Sequence, residues 1–178
     1  MRKKLKNQAQ QRGFTLIELL IVILIIGLLA GLGLSSFVNT QKKSRDSRRK
    51  QDLVHVAKAL ELYYNDFGQY PSGVDVGGIY TMNACGSDAQ QACTWGEVWQ
   101  GEEGMVYMSE LPSDPATGLY YAYRQVSAGD GFYLFAHLEN ENDPEYSTTN
   151  YANINCGATN NCNYVLKSSG VTVEPDTL

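Results

Sequence analysis

The chain has 178 residues, enough for one domain plus a membrane element, and a formal net charge of −5. Tyrosine dominates its aromatic residues, with 12 Tyr against 5 Phe and 2 Trp, a mix common on half-buried sheet. Five of the 14 basic residues lie before residue 13, leaving nine against 19 acids, and beyond Ala59 only Arg124 and Lys167 are basic. So acidic a body argues against a general nucleic-acid binder, and no nucleic-acid partner is expected.

Residues 1–13 read as a processing segment, with Arg2, Lys3, Lys4, Lys6 and Arg12 and no acid. From Phe14 to Leu34 the chain is apolar but for Thr15 and one carboxylate, Glu18. That run of about 21 residues spans roughly 32 Å as a helix, which matches a hydrocarbon core. A carboxylate in such a segment is costly without a partner, so Glu18 is a functional residue by default. Two partners offer themselves. Arg12 is one, with Glu18 snorkelling toward headgroups. If the chain is cut after Gly13, the new amine of Phe14 is the other, one helical turn away on the same chain or on a neighbour.

The stretch Gly13-Phe14-Thr15-Leu16-Ile17-Glu18 resembles the class III signal of type IV pilins and type II secretion pseudopilins. The resemblance implies cleavage between Gly13 and Phe14 by a prepilin peptidase and N-methylation of Phe14 by the same enzyme. It also implies assembly in which Glu18 compensates the N-terminal charge of an adjacent subunit. The expected division is a leader over 1–13, a transmembrane and filament-core helix over 14–36, and an extracytoplasmic globular domain over 37–178. A signal-peptidase cut after the apolar run has only the weak match Ala30-Gly31-Leu32-Gly33.

One long helix is expected over 14–67, with a break near Gly31 and Gly33 left open. Gly27 and Gly31 form a GxxxG step, which either allows close helix approach in lipid or reflects the ordinary frequency of glycine there. Lys42, Lys43, Arg45, Arg48, Arg49 and Lys50 cluster where the helix would leave the lipid. They read either as contacts to headgroup phosphates or acidic neighbours, or as a solvated face. Leu53, Val56, Ala57, Leu60, Tyr63, Tyr64 and Phe67 then recur at helical spacing, a stripe for a sheet to pack on. His55 sits beside that stripe as a surface or packing residue. Gly68 ends the helix and Pro71 prevents its continuation. The end, Tyr63 to Pro71 with its Tyr70-Pro71 turn, again resembles secretion pseudopilins and small bacterial pilins.

Residues 72–104 read as a long glycine-rich loop between helix and sheet, with Trp95 and Trp99 folding onto the body. Asp114-Pro115-Ala116-Thr117-Gly118 is a turn that resembles the Asp-Pro element opening the sheet in the same group. Residues 120–126 and 132–138 read as an antiparallel hairpin, with Phe132, Leu134, Ala136 and Leu138 facing the helix stripe. A third strand is expected over 163–167, and an edge at Val171-Thr172-Val173. The expected class is therefore α+β, a long N-terminal helix on a small antiparallel sheet.

Four cysteines allow three pairings, of which two short loops, Cys85–Cys93 and Cys156–Cys162, are the simplest. Each loop would add about 2–3 kcal/mol and needs an oxidising compartment, which puts the C-terminal part outside the cytoplasm. No enzyme motif is present: there is no G-x-S-x-G, H-E-x-x-H or phosphate loop, and no cofactor is expected. Some pseudopilins bind calcium in a C-terminal loop, so Asp130, Glu139, Glu141 and Asp143 are candidate oxygen ligands, against the alternative of a solvated acidic loop. Three functions stand: a type IV pilus-like filament subunit, a secretion pseudopilin, and a lone membrane-anchored binding module. The first two imply like subunits in a helical filament, a prepilin peptidase, an assembly platform and the inner or cytoplasmic membrane as partners. The filament would end at the cell surface or in the periplasm.

Overall fold

A computed structural model of the chain describes residues 13–86, 90–126, 129–148, 151, 154–157 and 161–171, the side chains of 32–36 and 103 excepted. It forms two compact units, Met1–Thr40 and Gln41–Leu178. Helix α1, Leu16–Phe67, begins in the first and ends in the second, and no break interrupts it at Gly31 or Gly33.

The second unit is α+β, as the sequence pattern predicts. Leu53, Val56, Ala59, Leu60 and Tyr63 of α1 are buried in its main core with Ala57 packed against it, whereas Tyr64 and Phe67 of the expected stripe are exposed, because the stripe leaves the sheet at the last turn. Gly68 adopts a φ of 69° and its N–H donates to the Tyr64 carbonyl at 2.7 Å, which caps the helix. Tyr70 folds back on α1: its ring lies 4.7 Å from Tyr64, and its hydroxyl donates to Glu61 at 2.9 Å.

Residues 72–104 are not the single loop that their glycine content predicts. They hold β1, Ser72–Val76, and β2, Ile79–Cys85, a hairpin closed by Gly77-Gly78, both at positive φ. A two-residue Gly-Gly turn between alternating strands is a hairpin signal in its own right. β3, Gln91–Ala92, extends this sheet. β4, Trp99–Gln100, pairs with β5, Val106–Met108, around a short 3-10 turn at Glu102–Gly104. Trp99 is fully buried, its indole N–H donating to the Ala84 carbonyl at 3.1 Å.

The last sheet has the order β6-β7-β8, all antiparallel: Ala122–Val126, Gly131–Ala136 and Tyr164–Lys167. Phe132, Leu134, Ala136 and Leu138 join the helix stripe in the main core, as alternation predicts. The opposite face is not left to solvent. Tyr133 and Phe135 are buried with Ala122, Ile154 and the Cys156–Cys162 loop in a second core. Of the expected edge at 171–173, Val171 is not in a strand and residues 172–173 lie outside the described residues.

The basic cluster at 42–50 is neither a solvated face nor open to headgroups throughout. Arg49 has no exposed side-chain surface. Its guanidinium forks onto Asp114 with two bonds of 2.8 Å, and its third nitrogen reaches Asp46 and Glu139 at 2.7 Å each. Arg45 forks onto the same Glu139 at 2.7 and 2.5 Å. Asp46 in turn accepts the backbone N–H groups of Glu139 and Asn140. Lys50 bridges Asp143 and Glu145 at 2.6 Å each and lies over the Tyr164 ring. One helical segment thus fixes the turn at 114 and the loop at 139–145. Three further acids of α1, Asp52, Glu61 and Asp66, accept hydroxyl bonds from Tyr121, Tyr70 and Tyr107. Burial, and then donation to these carboxylates, raises all three phenols above their ordinary pKa.

The network carries a pH signature. The Arg45 guanidinium, against the cost of burial and with Arg49 behind it, pulls the Glu139 carboxyl down to about 2. A depressed carboxylate pKa adds stability that is fully present above its ordinary value of about 4.3 and is lost as pH falls toward about 2. Urea unfolding of the detergent-held chain should therefore show a falling midpoint across that acid window, and Arg45→Gln should flatten the fall. Arg49→Gln should cost about 3–5 kcal/mol by the same assay, because it strands buried carboxylates. Leu60→Ala should cost about 2–5 kcal/mol, while Val54→Ala on the exposed face of the same helix should stay within about 0.5 kcal/mol.

Candidate assembly site

Gly13 and Phe14 are non-helical and exposed, and Phe14 keeps 82% of its surface. A peptidase can reach the bond between them without unwinding α1. Thr15 is the N-cap. Its backbone N–H and its hydroxyl both donate to one oxygen of Glu18, Oε2, at 2.8 and 2.6 Å, and its hydroxyl oxygen accepts the Glu18 N–H at 3.3 Å. This reciprocal arrangement is a capping box. The pattern Thr15-x-x-Glu18 stands in the sequence, and reading Glu18 only for a cationic partner overlooks it.

A carboxylate has about four acceptor positions, and the box draws only on Oε2. Oε1 has no bond among the described residues. Arg12, the upstream partner considered for Glu18, lies outside the described residues.

Every large apolar side chain from Phe14 to Leu29 stands open, at 45 to 82% of its surface. A Cβ added at Gly27 or Gly31 would meet nothing within 4 Å. Among the described residues no helix is long and apolar enough to cross a membrane. The run with described side chains ends at Gly31, whereas the expected span reaches residue 36.

The structure joins Cys85 to Cys93 and Cys156 to Cys162. The four calcium candidates are not gathered into one site. Glu139 is held by Arg45 and Arg49, and Asp143 by Lys50, whose hydrogen bond holds its carboxyl below the ordinary range. Asp130 and Glu141 are exposed, and no group of three or more His, Cys, Asp or Glu among the described residues is placed to hold a metal ion.

Comparison with known proteins bears on the same segment and on the body behind it. Residues 8–34 match the prokaryotic N-terminal methylation motif. The chain is 30% identical over 128 residues to the type II secretion system core protein G of Escherichia coli K12, covering 67% of this chain and 82% of that protein. It is 31% identical over 130 residues to the protein of the same name from Pseudomonas aeruginosa, covering 73% of this chain and 84% of the relative. The type IV major pilin protein PilA of Myxococcus xanthus is 38% identical over 61 residues, 34% of this chain and 28% of that pilin. No solved structure matches the chain. With the motif at its N-terminus and the match continuing into the globular unit, the chain belongs to the family of type IV pilins and type II secretion pseudopilins.

Proposed function

We propose that this chain is a structural, non-catalytic subunit of a filament assembled through its N-terminal helix, after a prepilin peptidase cuts between Gly13 and Phe14 and methylates Phe14. The observation that carries this reading is the open apolar surface of the helix from Leu16 to Leu29. Apolar side chains exposed all round a helix need an apolar surround. The membrane supplies it for the stored subunit, and like helices supply it in the filament. Glu18 sets docking and register: the open Oε1 accepts the Phe14 amine of an adjacent subunit, and a buried charge that finds no such amine penalises a wrong register.

Of the two settings, the reach of the similarity favours the secretion pseudopilus. The match to core protein G runs through the globular unit, whereas the match to PilA covers about a third of the chain. The subunit would then work in the periplasm on a secretion assembly platform. The disulfide-clamped loops support the other setting, a surface-exposed pilus.

Intact mass and N-terminal peptide mass of the protein from its native membrane test the processing. The expected start is Phe14 with one added methyl; a start at Met1 or beyond Gly33 overturns it. Glu18→Ala should leave membrane insertion intact and stop or strongly slow assembly, read as sedimentable polymer, and normal polymer yield would remove the docking role. Protein abundant in the supernatant of sheared cells would reassign the filament from secretion to a pilus.

A further inference from the structure

Beyond Lys58 the sequence holds two cations, Arg124 and Lys167, and the last sheet brings them into one row. Arg124 pairs with Tyr133 across β6–β7, and Tyr133 pairs with Lys167 across β7–β8. Directly opposed residues of antiparallel strands share a face, so the two cations flank the buried Tyr133 at the rim of the second core, one on each edge strand, with Cα atoms ~10 Å apart. Arg124 is half-exposed and Lys167 exposed. Neither makes an ion pair among the described residues, whereas Arg45, Arg48, Arg49 and Lys50 all do.

A complementary surface lies on a different sheet of the same chain. Glu97, Glu102 and Glu110 surround the β4–β5 hairpin, exposed and without ion pairs among the described residues. Val98, Met105 and Val106 stand open beside them, at 47, 54 and 52% of their surface. We propose that the Arg124–Lys167 row of one subunit docks on the Glu97–Glu110 segment of a second copy. Charge complementarity selects this occupant, and the neighbouring apolar side chains give the contact area that charge alone lacks. The two patches are unlike, so the contact is heterologous and continues from copy to copy instead of closing a dimer. Exposed ion pairs contribute little affinity, so the row sets the rotational register of the globular units while the helices hold the polymer. The inference rests on the filament reading.

The test uses the full-length chain in its native membrane, with Met105→Cys and Ser169→Cys introduced beside the two patches and joined by a bis-maleimide. A ladder of cross-linked multimers is expected. R124E/K167E should cut its yield at least fivefold, E97K/E102K/E110K should do the same, and the two sets combined in one chain should restore it. Retained native disulfides and an unchanged melting curve separate this loss from misfolding, and the milder R124Q/K167Q with a high-salt wash should reproduce part of it. An undiminished ladder in R124E/K167E, or failure of the combined chain to recover, overturns the contact. Polymer that forms without any 105–169 cross-link overturns the contact and leaves the filament reading standing. Absence of polymer of any kind overturns both.

Discussion

The globular unit is organised by the need to neutralise one buried cation. Arg49 has no exposed side-chain surface, and a guanidinium so placed must find acceptors for its whole fork. It takes them from three separate parts of the chain: Asp46 one turn earlier on the helix, Asp114 before the last sheet, and Glu139 just after β7. Apolar residues of similar volume in place of the whole cluster, arginine and carboxylates together, would give comparable stability, so what the network adds is specificity. Its planar fork accepts Asp114 in one orientation, and the turn that carries Asp114 is placed accordingly. Asp46 extends the constraint by binding the backbone of Glu139 and Asn140, which fixes where the chain goes when it leaves β7.

The same helix answers two opposite demands. From Leu16 to Leu29 its apolar residues stand open on every side, which suits a helix surrounded by apolar material. From Asp46 to Tyr63 it has one buried stripe, with carboxylates on the flanks that accept tyrosine hydroxyls. The globular unit therefore completes its core from its own residues.

Much of this was legible in the sequence. Helical spacing gave the stripe, strand alternation gave the face of β7, and Gly68 and Pro71 marked where the helix stops. Those features are local, and period and turn chemistry report them directly. The hairpin at β1–β2 is not legible in the same way, because seven glycines between 73 and 104 mask the short alternating segments between them. The fate of the cationic cluster was hidden for a deeper reason. Helical spacing places Arg49 on the buried stripe, four residues before Leu53, and Arg48 off it, but the carboxylates that let a cation lie there, Asp114 and Glu139, are 65 and 90 residues away. The row of Arg124 and Lys167 is of the same kind: only strand register brings them together.

At the N-terminus the local and the long-range readings of one residue meet. By its place in an apolar segment Glu18 needs a cation, but the capping box with Thr15 already satisfies part of it. Thr15 lies beyond the Gly13–Phe14 bond, so under the proposed processing its N–H remains an amide and the box is kept. What the cut changes is the nitrogen of Phe14, from an amide to an ammonium. The box holds Glu18 in a fixed orientation without a partner chain, which lowers the cost of a carboxylate in an apolar segment. The box occupies Oε2 and leaves Oε1 pointing to no partner among the described residues. Under the filament reading, that oxygen is the acceptor a neighbour's ammonium needs. The local cap and the assembly contact use different atoms of one side chain, so neither has to be broken for the other to form.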